Sequence, residues 1–208
     1  MKIVQQSVRL VDTLDGDKIL EKLEKCGRKC YKSEDNISDG TKEKFLKAII
    51  KMGHESVLEH ESITVDITTN RAISHQLVRH RLASYSQESQ RYCNYGNDKF
   101  NNEITFVYPH GFRRFTPEHS LWMDSCLHAS DTYFKLLKLG VLPETARGVL
   151  PNDTKTEIMM TMNIRTWRHF LKIRTAPDAQ PQIQALARLI LHEFKQHVPI
   201  LFDDIGRE

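Results

Sequence analysis

Two stretches of alternating apolar and polar residues, which lie far apart in the chain, most constrain its fold. The first runs from Ser62 to Thr68, and the second ends at Asn163. The alternating apolar residues are Ile63, Val65 and Ile67 in the first stretch and Ile158, Met160 and Met162 in the second. A period of two is typical of a strand with one buried face. Most other apolar residues follow helical spacing, and the strands are too few for a doubly wound sheet. The pattern therefore predicts an α+β fold, with a small antiparallel or mixed sheet packed against several helices.

Capping residues predict where several helices begin and end. Asp15 or Asp17 can cap the first helix, and Gly53 suits the left-handed position after the second. Asn70 is expected to cap a third helix. Thr116, which precedes a proline, is predicted to begin a fourth.

The remaining segments carry weaker patterns. Residues 3–11 are predicted as one strand, and residues 79–81 are expected at the C-terminal end of the third helix. Residues 84–91 lack a sustained period and are predicted as a loop. A short strand is expected at residues 104–108, within the polar, turn-rich segment 92–116.

Composition favours one globular domain. The chain has 208 residues, 39% of them hydrophobic and 27% charged, which is enough for one substantial core. We therefore expect residues 1–208 to form a single domain. No apolar run approaches the length that crosses a bilayer, and the first residues alternate instead of forming a signal-peptide core. We expect a cytoplasmic protein with no membrane partner, in which the four cysteines are too few and too scattered for a disulfide framework.

A basic segment lies between Arg71 and Arg91. It contains four arginines and two histidines against one acid, Glu88. Guanidinium groups stay charged and offer five donors in a planar fork, so several of them in one place favour an anionic ligand such as a phosphate. Ser89 and Gln90 would add neutral donors. The alternative is a solvated basic face.

The segment GHESVLEH, residues 53–60, places four possible metal ligands close together. They are His54, Glu55, Glu59 and His60. A zinc-binding helix needs a second histidine four residues after His54, and position 58 is Leu. The inverted pattern would need His at position 56, which is Ser. We therefore expect no metal site, and His60 is interpreted as making a helix-terminal hydrogen bond.

Several motifs together resemble one enzyme family. The segment 79–89, RHRLASYSQES, contains Arg79-His80-Arg81, then seven residues, then Ser89. Further blocks are GHESVLEH at 53–60, Ser89-Gln90-Arg91, ETARGVLP at 144–151 and NIRTWRHFLKIR at 163–174. Their order and separations resemble those of the flavin-dependent thymidylate synthases, over most of the chain from about residue 50 onward. The resemblance implies reductive methylation of dUMP to dTMP. It further implies methylenetetrahydrofolate as carbon donor, FAD as hydride carrier, NADPH as reductant, and a homotetramer that shares its active sites between subunits.

Residue by residue, the resemblance implies two binding sets. The FAD set is His54, Ser56, Glu59, Arg79, His80, Arg81, Glu88, Asn163, Arg165 and His169. The dUMP set is Gln76, Arg79, Glu88, Ser89, Gln90, Arg91, Arg147 and Arg174. No GxGxxG fingerprint is present, but arginine side chains can replace a helix N-terminus as the receptor for a pyrophosphate. Gln90 departs from the small residue common at its place in the family, which leaves the local phosphate geometry open.

The resemblance also suggests how the nucleotide is activated. No cysteine matches the nucleophile of the classical thymidylate synthases, so no covalent enzyme–nucleotide adduct is expected. Ser89 is an alternative nucleophile only if a base lies within hydrogen-bond reach. Arg174 is the candidate catalytic residue, because a guanidinium against the uracil ring would stabilise charge at N3 and O4.

A second hypothesis from a different class is a basic protein that binds single-stranded nucleic acid. Tyr85, Tyr92 and Tyr95 would then serve as stacking platforms for the bases. The formal charge of only +3 falls short of the usual nucleic-acid signature, and the methylation of dUMP is therefore preferred.

Overall fold

The computed structural model describes residues 1–206 and has an α+β fold, as predicted. The helices are α1 Gly16–Tyr31, α2 Thr41–Lys51, α3 Arg71–Leu77, α4 Pro117–Lys138, α5 Pro143–Ala146, α6 Ile164–Arg174 and α7 Pro181–His197. The strands are β1 Lys2–Val4, β2 Ser7–Leu10, β3 Ser62–Asn70, β4 Ser84–Gln87, β5 Thr105–Val107 and β6 Lys155–Asn163. A 3₁₀ helix at Glu55–His60 precedes β3, and another at Pro199–Leu201 follows α7. No helix in residues 1–206 has the length and apolarity needed to span a membrane.

The strands form two small sheets. β1 and β5 pair in parallel, with Ile3 opposite Phe106. The other sheet has the order β2-β3-β6-β4, so the two strands with the clearest alternation, β3 and β6, are its inner strands. All six of their alternating apolar residues, at positions 63, 65, 67, 158, 160 and 162, are buried. The prediction that they form one buried face of a strand is therefore confirmed.

The chain divides into two compact units, each built from separated segments. The first unit comprises Met1–Ser7, Ile67–Arg79 and Ser86–Ile158. The second comprises Val8–Asp66, His80–Tyr85 and the chain from Met159 onward.

Each unit has its own aromatic core. In the first, Tyr95, Phe106 and Tyr133 are buried in one cluster, and the rings of Tyr95 and Tyr133 lie 5.9 Å apart. In the second, the Trp167 ring meets Phe194 edge-on at 5.2 Å, and Phe194 lies 4.9 Å from Phe202. Burial of such large side chains is a major stabilising term in a core.

The predicted helix caps are confirmed. Asp15 accepts a hydrogen bond from the Lys18 N–H, and Asn70 accepts one from the Ile73 N–H at 2.9 Å. Thr116 likewise caps α4. Gly53 follows α2 with a φ of 75°, in the left-handed region that glycine adopts without a steric penalty.

Three predicted boundaries were wrong. Residues 3–11 are not one strand, because β1 pairs with β5 whereas β2 belongs to the other sheet, and the chain changes partner between Val4 and Ser7. The third helix ends at Leu77, so residues 79–81 lie beyond it. Residues 84–87 form β4 instead of a loop. β4 lies at the edge of its sheet and carries polar residues, so it lacks the apolar alternation that identifies an inner strand.

A buried arginine joins three segments of the second unit. The Arg168 side chain, on α6, is only 1% exposed. Its guanidinium donates to both carboxylate oxygens of Asp204 at 2.7 Å, to Glu55 at 3.3 Å and to the Leu201 carbonyl. Burial alone would raise the pKa of Asp204, but the hydrogen bonds and charge of Arg168 lower it below its usual value. We call Arg168 with Glu55 and Asp204 the Arg168 clamp. It connects Glu55, which lies between His54 and Ser56 in the chain, to α6.

Arg168→Ala should lower the free energy of unfolding by about 3 kcal/mol, because it removes a buried cation with bidentate partners. The cost stays at the low end of the usual range, since Glu55 and Asp204 are 23% and 46% exposed and can be rehydrated. Urea denaturation measures the change. The control is Arg9→Ala, whose side chain is 78% exposed and pairs with Asp66; its effect should stay below about 1 kcal/mol. Equal losses in the two variants would contradict the role of the clamp.

Candidate active site

The basic signature lies in the turn between α3 and β4. After the helix, the Arg79 N–H donates to the Gln76 carbonyl at 3.3 Å. Leu82 then has a φ of 60°, and its side chain is 86% exposed. A residue other than glycine in this conformation costs of order 1 kcal/mol. The turn leaves Arg79 and Arg81 exposed, whereas His80 is half-buried.

In the second unit, His80 forms a pair with Arg174. The Arg174 Nε–H donates to His80 Nε2 at 3.0 Å, and the His80 ring meets Phe170 edge-on at 4.8 Å. A guanidinium has no acceptor, so this bond requires an unprotonated Nε2 and places the imidazole proton on Nδ1. Burial, followed by the charges of Arg174 and His169, lowers the pKa of His80 to about 4. His80 is therefore neutral at physiological pH, and it fixes Arg174 through Nε while leaving the two terminal nitrogens of the guanidinium to face other partners.

Two further contacts in this unit involve predicted flavin-binding residues. Arg165 NH1 donates to Glu59, 106 positions earlier in the chain, at 2.5 Å, although both side chains are about half exposed. His54 Nδ1 lies 3.0 Å from the Tyr31 hydroxyl. Ser56 is exposed in the 3₁₀ helix between His54 and Glu59. These contacts orient an imidazole and a guanidinium without burying them, so a ligand can still reach both.

Asn163 acts as the N-cap of α6. Its Oδ1 accepts from the backbone N–H and the hydroxyl of Thr166, both at 2.9 Å. The amide oxygen is thus committed to the helix, and the Nδ2 group is the part of Asn163 that could donate to a ligand. Asn163 lies at the cap of α6 and Arg165 in its first turn, and His169 follows on the same helix.

In the first unit, two predicted phosphate-binding arginines meet at Glu144. Arg91 Nε lies 3.6 Å from the Glu144 carboxylate, and Arg147 Nε donates to the Glu144 carbonyl at 3.1 Å. Arg91 also follows the tight turn at Ser89, whose hydroxyl accepts the Arg91 N–H at 3.3 Å. Gln90 is buried, at 8% exposure, so its side chain points into the protein while its neighbours on either side are more accessible. Both arginine side chains thus contact Glu144, and the backbone of one of them, Arg91, holds the Ser89 hydroxyl.

Glu88 has a hydrogen bond on one carboxylate oxygen and an ion pair on the other. Oε1 accepts from the Tyr95 hydroxyl at 2.8 Å, and Oε2 lies 3.1 Å from Lys155 Nζ. Its side chain is 11% exposed. The carboxylate predicted to contact FAD and dUMP is thus engaged within the first unit.

The structure bears on three alternative chemistries: a serine nucleophile, a metal site and a cysteine nucleophile. The hydrogen bond that it describes at Ser89 Oγ comes from the Arg91 backbone N–H, which cannot take a proton from the hydroxyl. In residues 1–206, no group of three or more His, Cys, Asp or Glu side chains is placed to hold a metal ion. Burial, with a smaller effect of Asp153, raises the pKa of Cys126 to about 12, so that thiol is not a ready nucleophile.

Several partners of these residues were missed from the sequence. They are Tyr31, Tyr95, Glu144 and Lys155. Glu144 belongs to the ETARGVLP block, so its position was a usable signal. Tyr31 and Lys155 carry no local pattern that links them to His54 or Glu88. Tyr95 was interpreted as a stacking platform, but it is only 5% exposed. The described contacts join Arg81 and Ser56 to none of the other predicted site residues.

Comparisons with known proteins identify the family of this chain. A family model described as "Thymidylate synthase complementing protein" matches residues 9–200. A flavin-dependent thymidylate synthase of Geobacter sulfurreducens is 41% identical over 187 residues, covering 86% of this chain and 78% of that protein. One from Corynebacterium efficiens is 34% identical over 198 residues, covering 89% and 79%.

A solved structure extends the likeness to the fold. It is a UMP/dUMP methylase, PolB, from Streptomyces cacaoi, bound with 5-Br dUMP. It aligns with a TM-score of 0.79 and 25% identity, over 99% of this chain and 98% of that one. The family model and the identity to these relatives leave one conclusion: the chain belongs to the flavin-dependent thymidylate synthases and is an enzyme of that family.

Proposed function

We propose that this enzyme converts dUMP to dTMP, with methylenetetrahydrofolate as carbon donor, FAD as hydride carrier and NADPH as reductant. The observation that carries the proposal is the meeting of Arg91 and Arg147 at Glu144, beside the Ser89 turn. Two guanidinium groups that contact the same residue, together with a serine hydroxyl held by the Arg91 backbone, suit the phosphate of a nucleotide. A protein of similar fold is a UMP/dUMP methylase, and this supports uracil as the base.

Nucleotide binding is expected to begin when Arg91 exchanges its partner Glu144 for the phosphate. The Glu144 carboxylate lies 3.6 Å from Arg91, and both side chains are about half exposed. Such exposed pairs contribute little stability, about 0–1 kcal/mol. A phosphate with bidentate hydrogen bonds could therefore displace Glu144 from Arg91 at small cost, and Gln76 and Arg79 would complete the nucleotide site.

The donors of the second unit fit a flavin dinucleotide. Arg81, Arg165, His54 and Ser56 are cationic or neutral donors that lie exposed, as a pyrophosphate and a polar ring edge require. Asn163 Nδ2 and His169 would donate to the ring edge. When bound, FAD would supply hydride chemistry, and the protein would orient the ligands and exclude water.

Arg174 is proposed to activate the uracil ring. Its Nε is fixed on neutral His80 at 3.0 Å, which directs the two terminal nitrogens away from that bond. A guanidinium held against N3 and O4 would stabilise negative charge as the ring becomes nucleophilic at C5. Because the pKa of His80 is about 4, its imidazole is uncharged at neutral pH, and Arg174 carries the positive charge of the pair.

The protein is not expected to form a covalent bond with the nucleotide. Ser89 lacks a described base, and its hydroxyl is better suited to hold the phosphate than to attack the ring. We extend the proposal to the whole chain: residues 1–208 act as one domain in a cytoplasmic homotetramer that completes its active sites between subunits.

Single-stranded nucleic-acid binding gains no support. Of the three tyrosines that would stack on bases, Tyr95 is buried, and the Tyr85 hydroxyl donates to the His80 carbonyl. Only Tyr92, at 81% exposure, offers an accessible ring. Two of the three tyrosines therefore make contacts inside the fold, which leaves one exposed ring for stacking.

The purified protein should show flavin absorption bands, and these should bleach after NADPH is added without oxygen. The bleaching should be faster when dUMP is present, because a nucleotide that orders the site would favour hydride transfer. Anaerobic absorption spectroscopy with and without dUMP measures both effects. A colourless protein that fails to take up added FAD would overturn the proposed function.

Arg174→Ala should reduce dTMP formation by at least about 10³-fold, the upper range for loss of one charge-stabilising donor. FAD absorption should remain, because Phe170 still holds His80 in place. The control is Arg113→Ala, an exposed arginine in the loop before α4, which should keep normal turnover. Turnover in Arg174→Ala equal to that of the unaltered enzyme would remove Arg174 from the mechanism.

Ser89→Ala should raise the Kd for dUMP about tenfold and still form dTMP, because the hydroxyl binds and does not attack. A tenfold change corresponds to about 1.4 kcal/mol, within the range of one hydrogen bond to a charged group. Ser84→Ala, at an exposed position of β4, is the control. Complete loss of chemistry with normal dUMP binding would instead support Ser89 as a nucleophile.

A further inference from the structure

We propose that Tyr95 and Lys155 are positioning residues for the nucleotide, which act by fixing the Glu88 carboxylate at the base of the Ser89 turn. This inference rests on the proposed function. It changes the role of Glu88, whose carboxylate would anchor the turn and not contact FAD or dUMP.

The carboxylate is enclosed by its two partners. The Tyr95 hydroxyl donates to Oε1 at 2.8 Å, and Lys155 Nζ lies 3.1 Å from Oε2. The side chains of Glu88 and Lys155 are 11% and 19% exposed, and Tyr95 is 5% exposed. At such burial an ionised carboxylate is stable only with hydrogen-bonded or charged partners, so both partners are needed.

The backbone of Glu88 is fixed as firmly as its side chain. Its N–H donates to the Glu157 carbonyl at 2.8 Å, and its carbonyl accepts from Arg71 NH1 at 3.2 Å. Lys155 also donates to the Glu157 carboxylate at 2.7 Å. Glu88 is therefore attached to α3 through Arg71 and to β6 through Glu157 and Lys155.

The anchored residue leads directly into the proposed nucleotide site. After Glu88, the Ser89 carbonyl accepts from the Cys93 N–H at 2.9 Å, and the Ser89 hydroxyl accepts from the Arg91 N–H at 3.3 Å. A shift at Glu88 would move the Ser89 hydroxyl and the Arg91 backbone together. Small displacements of a binding group carry large costs in affinity and rate.

The surroundings of Tyr95 keep its hydroxyl protonated, so that it can donate to Glu88. Its ring packs against Phe100 at 5.3 Å and Tyr133 at 5.9 Å, and its N–H donates to the Tyr133 hydroxyl at 3.3 Å. Burial, followed by the charge of Glu88, raises its pKa, so the hydroxyl keeps its proton. For Lys155, burial alone would lower the pKa, but Glu157 and Glu88 outweigh it and raise the pKa, so the ammonium stays charged.

The test uses the FAD-loaded enzyme and the isosteric variant Tyr95→Phe. Its Kd for dUMP, measured by calorimetry, should rise about tenfold, because a displaced Ser89 turn holds the nucleotide less well. KM for dUMP should rise similarly, while kcat and the flavin absorption bands change less than about twofold. Tyr108→Phe is the matched control, because its hydroxyl makes only a 3.4 Å contact with the Phe112 carbonyl. It should leave dUMP affinity unaltered.

Two further variants separate positioning from general structure. Lys155→Met should raise the Kd for dUMP, and Lys155→Arg, which keeps the charge, should restore it in part. In a Glu88→Gln background, Tyr95→Phe should cost clearly less than it does alone, because the two act as one unit. If Tyr95→Phe does not fold, the lysine variants and Glu88→Gln still measure the anchor.

Three outcomes overturn the inference. The first is a Kd for dUMP in Tyr95→Phe and Lys155→Met within twofold of the unaltered enzyme. The second is full additivity of Tyr95→Phe and Glu88→Gln. The third is loss of the flavin bands in Glu88→Gln with normal dUMP binding, which would assign the carboxylate to FAD. If the unaltered enzyme binds FAD but no dUMP, the proposed function itself fails, and the positioning role fails with it.

Discussion

The structure depends on two inner strands that each end in an asparagine. β3 ends at Asn70 and β6 at Asn163, and in both cases the asparagine side chain accepts the backbone N–H three residues later. The apolar face of each strand is buried, which fixes which residues face the core and therefore where each strand stops. The capping hydrogen bond, 2.9 Å long in both cases, then sets where the following helix begins.

This repeated strand, cap and helix places the chemistry. The signature arginines follow α3, and Arg174 is the last residue of α6. Rigid elements before a functional side chain position it more precisely than a loop would. The signature itself lies one turn beyond its helix, and its exposed, left-handed Leu82 lets His80 turn inward while its neighbours stay accessible.

Sequence patterns predicted the features that depend on neighbouring residues and missed those that depend on contacts between distant residues. The alternation at Ile63 and Ile158, and the caps at Asn70 and Thr116, depend on residues within a few positions, so they could be identified correctly. The partner change that splits the first strand depends on pairing with β5, about a hundred residues away. β4 was missed because a polar edge strand has no apolar face. Tyr95 and Lys155 acquire their roles only when the fold brings them to Glu88, and no spacing rule anticipates those contacts. The same holds for the approach of Glu144 to Arg91, whereas the contact of Glu144 with Arg147 lies within one sequence block.

The Arg168 clamp has a consequence for how relatives of this enzyme can diverge. Its guanidinium pairs with Glu55 and Asp204 at once, so replacement of the arginine removes a partner from both acids, and replacement of either acid removes a partner from the buried guanidinium. Single substitutions at these positions are therefore destabilising. Lineages that lose the arginine should also have exchanged both acids, and the three sites should covary as a group even though they lie 113 and 36 residues apart in the chain.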